Sequence, residues 1–551
     1  MLKLRPYWLL LFALFFLLIA SEGLLAQSYF LYDLNDNKIL YMGENETAFT
    51  EKIAMDKKPD YIMPTSDPSR YLAVFTPDQK QENAGRLVIF NIESGRTEDL
   101  VELGFYPYRW QHSSDYNYLY ISYCTTKNGD SFELLKYDLK ELKPLKLGQS
   151  IKKPVAMTLT DNNQMLYLIE NSEDQTTSQL LTITADTLEI KSTLPVGKYP
   201  DRLFLLGNER IAVLNRDLRN RDQIKENDSR AKASLKLIDT LNNRMIEEKE
   251  LKETDVYAYW DDEHKVLIVS VDYSRFLGTF GLKGKGEFYK VTEKGIVYHL
   301  IKEGWIDLDY RPELDRLYVL CGKSAQVIDY QNNKVSEIKT GNNLIPNGYG
   351  DFYICYFNNL TDTNYEIIYC YSNGDMRFID LTDNKMVNKI RSGRKGRRFL
   401  QTIGGGGKAE AVITTDAEKS TYYVLNKATK DITVLNQSFE VVTHIVPEED
   451  PLGMYQVKKA GYQTIAITEK MIYRIAADNT LTPIYQFDEK PKFSDFIEDE
   501  GRIIVWTDRE IVVLDAASLE VKNQFGWHVK KDQVQVKLPK DSQRYWFLRT
   551  L

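Results

Sequence analysis

Three observations on the sequence predict an all-β fold, a β-propeller of about eleven four-stranded blades. A strand–turn–strand unit recurs in steps of roughly 48 residues, the length of one blade. Tyrosine and phenylalanine, at 36 and 23 residues, outnumber the 30 glycines and 17 prolines, and aromatic side chains suit a pleated, half-buried surface. The C-terminus carries a strand with no hairpin after it, while the N-terminus carries a hairpin with no strand before it.

The repeating unit is an apolar strand closed by Asp or Asn, a polar turn, and a second strand. It stands at 30–33, 88–91, 135–138, 235–239, 326–329, 377–380, 433–436 and 512–515, with weaker copies at 181–186, 288–292 and 472–478. Asp or Asn at the turn can accept hydrogen bonds from backbone two residues on. The pairs that follow tolerate the dihedrals of a tight hairpin, as in Leu241-Asn242-Asn243-Arg244 and Thr382-Asp383-Asn384-Lys385. These turns lack the spaced oxygen ligands, the Gly and the closing Glu of a calcium loop.

A further strand precedes each hairpin except the first, at 71–75, 118–121, 165–169, 210–214, 266–269, 317–320, 422–425 and 503–506. The hairpin that starts at Tyr29 has no such partner. Arg544-Tyr545-Trp546-Phe547-Leu548-Arg549 fits that vacancy, so the last strand is expected to complete the first blade and cover edges that would invite aggregation.

The stretch Leu194-Pro195-Val196-Gly197-Lys198-Tyr199-Pro200-Asp201-Arg202, continued by Arg210-Ile211-Ala212-Val213-Leu214-Asn215-Arg216-Asp217, resembles the YVTN repeat. That repeat belongs to surface-layer-type β-propellers within the WD40-like, quinoprotein-like group. The Val-Gly-x-x-Pro element and the apolar strand ending in Asn both have counterparts, and 317–321 and 422–426 are degenerate copies of that strand. The resemblance implies the propeller fold for most of 27–551. It also allows an enzyme, since propellers host many chemistries.

Residues 1–26 differ in kind. Lys3 and Arg5 precede an apolar run from Trp8 to Ala20, and Ser21, Glu22 and Gly23 break it before Ala26. A run this short followed by small residues reads as a cleaved secretory signal. The mature chain is then expected in a secreted, periplasmic or cell-surface location, with no membrane span. Eleven blades exceed the four to eight usual for one ring. Two packed propellers, 27–302 and 303–551, are the economical arrangement, with the join placed on length.

Composition narrows the function. The net charge is −8, which argues against a nucleic-acid partner, because phosphate binding needs a basic face. Of the four cysteines, Cys355 and Cys370 sit in neighbouring strand-like runs where a disulfide can form, and buried free thiols are the alternative. His112, His264, His299, His444 and His528 are scattered without metal-ligand spacing. No Gly-x-Ser-x-Gly elbow is present. Gly404-Gly405-Gly406-Gly407-Lys408 fails as a phosphate loop, because Thr402 stands where the first Gly belongs and Ala409 follows the Lys. No catalytic residue, metal site or cofactor is expected.

One face collects residues suited to binding. A Gly follows many hairpins, and its neighbours include Tyr106, Tyr108, Arg109 and Trp110; Lys198, Tyr199 and Arg202; Trp305; and the cluster of Arg394, Arg397 and Arg398. If the chain crosses one face in loops there, aromatic and Arg side chains would form a shared surface of the kind that dominates interfaces. The expectation is an exported binding scaffold whose loop face takes a protein or cell-envelope carbohydrate. A quinoprotein-like oxidoreductase and a structural surface-layer component are the rivals.

Overall fold

The computed structural model describes residues 29–33, 38–42, 50–54, 547–548 and, short internal stretches apart, 59–526. The signal segment 1–26, Arg397, Arg398 and the glycine run 404–407 lie outside the described residues. So do the side chains of Tyr106, Cys355 and Cys370.

Among the described residues there is no α-helix, and one 3-10 turn at Pro312–Leu314 interrupts the strands. No helix there is long and apolar enough to cross a membrane. The strands form eleven four-stranded antiparallel sheets and one two-stranded ribbon, Arg275–Phe276 with Leu282–Lys283. This architecture is consistent with a β-propeller. Numbered along the chain, sheets 2 to 11 occupy 61–103, 106–151, 153–195, 200–250, 256–301, 305–339, 355–391, 411–445, 451–486 and 493–526, with strands pairing in chain order.

Sheet 1 is assembled from both termini. Its order in space is Thr50–Ala54, Lys38–Met42, Tyr29–Asp33 and Phe547–Leu548. The last pair is antiparallel, with Phe30 opposite Leu548 and Leu31 opposite Phe547. The C-terminal strand thus lies along Tyr29–Asp33, whose backbone would otherwise present an open edge.

Each strand's pattern follows from its place in the sheet. Second strands are buried on both faces, so they read as continuous apolar runs. In Arg316–Cys321, Leu317, Val319 and Cys321 pack against sheet 6, while Tyr318 and Leu320 pack against sheet 8. In Thr421–Asn426, Tyr422 and Val424 face sheet 8, and Tyr423 and Leu425 face sheet 10. Fourth strands alternate between exposed and half-buried residues, as in Arg244–Glu250 and Ile190–Pro195. That period of two marks a strand with one wet face.

First strands gave no clear sequence signal. Tyr106–His112, Val256–Asp261 and Trp305–Arg311 pair with the second strands of their sheets. The sequence expectation placed Tyr106, Tyr108, Arg109, Trp110, Arg202 and Trp305 on crossing loops; they lie within first strands instead. Short segments mixing aromatic, charged and amide residues carry neither a continuous apolar run nor a clean alternation.

The turns behave as expected. Asp239 accepts a hydrogen bond from the Asn242 backbone N–H at 3.0 Å, and Asp329 accepts one from the Asn332 N–H at 2.9 Å. Asn243, Asn333 and Asn384 take left-handed φ values of 49, 50 and 53°, a conformation Asn tolerates well. A shared apolar cluster joins each consecutive pair of sheets from 2 to 11. The boundary at 302 falls between Gly295–Ile301 and Trp305–Arg311, and one of these clusters spans it, with Ile301 and Trp305 both members.

The repeat's Val-Gly element also gains a physical reason. Gly197 has φ +94°, and a Cβ there would stand 3.2 Å from both Asn215 Nδ2 and Lys236 Nζ. Asn215, which ends the second strand, donates through Nδ2 to the Val196 carbonyl at 2.8 Å. The Gly therefore lets the entering chain lie against that Asn. A second copy uses Ser392 and Gly393: the Ser392 hydroxyl donates to Asn426 Oδ1 at 2.8 Å, and Gly393 has φ 82°.

Candidate functional site

The residues expected at one face lie on several sheets. Tyr108 packs in the cluster between sheets 3 and 4, with its ring edge-on to Phe132 at 5.4 Å. Trp110, pointing the other way, packs between sheets 2 and 3. Arg109 is exposed; it lies over the Tyr108 ring at 5.1 Å and donates to the Val155 carbonyl at 2.6 Å. Lys198 is exposed just before the first strand of sheet 5, Arg202 is exposed within that strand, and Tyr199 takes φ 51°. Arg394 reaches sheet 9, where its Nη2 donates to the Thr429 carbonyl at 3.4 Å. Cys355 and Cys370 stand directly opposite each other in the register of sheet 8.

Trp305 belongs to a different feature, a cleft of about 380 Å3 where sheets 6 and 7 meet. Two strands of sheet 6 build one wall. In Val256–Asp261, alternation sends Val256, Ala258 and Trp260 into the core shared with sheet 5. It turns Tyr257 and Tyr259 the other way, where they are 58% and 45% exposed. Tyr257 pairs with Ser270 and Tyr259 with Ile268 on the neighbouring strand, which places Ile268, Ser270 and Asp272 at the base of the cleft. Trp305–Arg311 of sheet 7 supplies the opposite wall, with Trp305, Ile306, Asp307 and Leu308 lining it.

The aromatic walls are held from behind. Trp305 is 9% exposed, edge-on to Tyr257 at 5.7 Å and tilted on the buried Phe288 at 5.8 Å. Gly286 makes this possible: a Cβ at that position would stand 2.7 Å from both the Phe288 ring and the Trp305 ring. Ser270 interrupts the run Val266-Leu267-Ile268-Val269-Ser270-Val271. It is 1% exposed, and its hydroxyl has no hydrogen-bond partner among the described residues. A buried hydroxyl without a partner loses its hydration for no return. That polar residue in an apolar strand, facing Tyr-x-Tyr on the next, is the sequence signal for this cleft.

The electrostatics are acidic. Asp272 and Asp307 line the cleft, and among the described residues no Lys, Arg or His does. Burial raises the Asp307 carboxyl above the usual carboxylate range, although it accepts the Phe357 N–H at 2.8 Å. The Tyr259 phenol is raised by burial and by the charges of Asp261 and Asp309. Behind this wall, Arg311 lies 2.6 Å from Asp309 and bonds the fully buried Glu366, which comes from sheet 8. Burial, and then Asp309, push the Glu366 carboxyl up to about 8.

No family model matches the chain, and no curated protein matches it. Similar solved structures include the β-propeller domain of the Trilobed protease from Pyrococcus furiosus. It is 10% identical with a TM-score of 0.29, covering 58% of this chain and 93% of that one. Apo AztD from Citrobacter koseri is 11% identical with a TM-score of 0.29, covering 70% and 96%. A eukaryotic initiation factor is 11% identical with a TM-score of 0.38, covering 76% and 96%. Likeness at this level decides nothing further about the chain.

Proposed function

We propose that this chain is an exported β-propeller scaffold that binds its ligand in the cleft between Val256–Asp261 and Trp305–Arg311. The eleven sheets serve as eleven blades, closed by the C-terminal strand. Export rests on the signal-like segment 1–26. The division into 27–302 and 303–551 rests on length.

The observation that carries the binding role is the exposure of Tyr257 and Tyr259 beside Trp305, above a Ser270 hydroxyl that has no partner among the described residues. Exposed rings over a concave polar base are costly to leave facing water, and they supply area at low conformational entropy to a ligand. Trp305 links this cleft to the binding residues predicted from sequence. A mixed library of amines, neutral saccharides and carboxylates, read by methyl and aromatic NMR shifts, tests the reading. The expected result is that at least one class perturbs Tyr257, Tyr259 and Trp305, and that Tyr257→Ala with Tyr259→Ala abolishes the effect. Binding confined to other sheets, or shifts unchanged in that variant, would overturn it.

A further inference from the structure

The cleft has a chemistry that selects among ligands. Resting on the binding role proposed above, we infer that it receives a primary alkylammonium group, carried by a free amine or by a lysine side chain.

Four features of the lining point to that group. The electron-rich faces of Tyr257, Tyr259 and Trp305 attract cations, and Trp is the strongest of the aromatic partners. Two carboxylate residues, Asp272 and Asp307, line the cleft, and no basic side chain is among its described lining residues, so the described lining favours a cation over an anion. The Ser270 hydroxyl is buried at the base with no partner among the described residues. It can accept an N–H bond, which a primary ammonium supplies and a quaternary one lacks. Ile268 and Leu308 complete the lining with apolar surface, which suits the methylene stem behind the charged head.

Nearby charges reinforce this. The Tyr259 phenol is raised by burial and then by the charges of Asp261 and Asp309, two further carboxylates of the strands that wall the cleft. Two basic side chains of sheets 6 and 7 are committed elsewhere. Arg311 is taken by Asp309 and Glu366, and Lys290 by Asp315 and the Tyr330 ring.

The test titrates the full mature chain with n-butylammonium, tetramethylammonium and the neutral 1-butanol, followed by NMR at Tyr257, Tyr259 and Trp305. Butylammonium is expected to bind at least about tenfold tighter than butanol, with tetramethylammonium between them. Tyr259→Leu should weaken butylammonium roughly five- to thirty-fold and leave butanol within about twofold, because the cation–ring attraction is lost while most of the apolar area is kept. Asp272→Asn should weaken both amines and not butanol. Ser270→Ala should narrow the gap between primary and quaternary amines; its small volume change keeps the fold. A peptide with one internal Lys, against the same peptide with that Lys acetylated, distinguishes the sources. Tighter binding of the unmodified peptide than of butylammonium assigns the group to a partner protein, and the reverse assigns it to a free amine. Equal binding of butylammonium and butanol, or a preference for carboxylates, would overturn the inference. Saccharide binding in the same cleft without amine binding would also overturn it, while leaving the binding role intact.

Discussion

Gly286→Ala is expected to loosen the join between sheets 6 and 7 without touching a polar group. The added Cβ would stand 2.7 Å from Phe288 Cε2 and Trp305 Cδ1, and 2.9 Å from Phe288 Cζ. Neither ring has slack: Phe288 is fully buried and Trp305 nearly so, and both belong to one packed cluster. Overpacking of this kind costs about 1–3 kcal/mol. A chain of many small sheets does not unfold as one two-state unit, so the cost belongs in local opening rather than in a single unfolding energy. Amide hydrogen exchange on Gly286–Thr292 and Trp305–Arg311 should then accelerate about five- to 150-fold. Gly207→Ala is the control, since its new Cβ meets only the Glu293 carboxylate, at 3.4 Å. Cleft ligands should bind more weakly to Gly286→Ala, because Trp305 has moved. Exchange in Gly286→Ala equal to that in Gly207→Ala would refute the packing described for Trp305.

Three more outcomes follow from the turns and the buried charges. Gly197→Ala should cost about 1–3 kcal/mol, from φ +94° and from contacts of 3.2 Å with Asn215 and Lys236; exchange in sheet 5 that matches the wild type would contradict it. Asp239 is held down to about 2 by the Asn242 side chain and backbone N–H, with Arg210 adding to this. Its contribution is present above the ordinary Asp range and lost as pH falls through that range towards 2. Thermal stabilities of wild type and Asp239→Ala should therefore converge in acid, and a constant gap would count against this. Glu366 shifts the other way, raised by burial and then by Asp309. Its folded form holds a proton that the unfolded chain releases, so stability falls as pH rises from the ordinary Glu range through about 8. Glu366→Gln should flatten that limb of the pH profile, and an unaltered slope would place the proton elsewhere.

The legibility of this chain tracks how many faces each strand buries. A strand packed on both sides must be apolar at every position, so Leu317-Tyr318-Val319-Leu320 is unmistakable in the sequence. The Asp turns are equally plain, because Asp239 and Asp329 satisfy backbone N–H groups within three residues, and no distant partner is needed. First strands are different. Val256–Asp261 buries one face against sheet 5 and leaves the other at the cleft, so its composition follows neither a continuous apolar run nor a clean alternation. Reading such segments as loops misplaced Tyr106 to Trp110, yet it drew attention to Trp305 through the preceding Gly304.

The cleft itself needed two strands separated by some fifty residues of chain to be brought face to face, and no local pattern encodes that meeting. What the sequence does hold is a violation on each strand. Tyr257 and Tyr259 place two large rings on the side of a strand that the core does not use, and Ser270 places a hydroxyl where Val266 to Val271 are otherwise apolar. Each departure alone costs stability: the rings face water, and the hydroxyl is buried without a partner among the described residues. Both departures fall at one end of the pairing register, Tyr257 opposite Ser270, and both open towards Trp305. Sites of function are where local rules are expected to break together. Restoring the rules should therefore separate stability from binding: Ser270→Val, an apolar residue in an apolar strand, should hold or raise the protection of sheet 6 while it removes the polar base of the cleft.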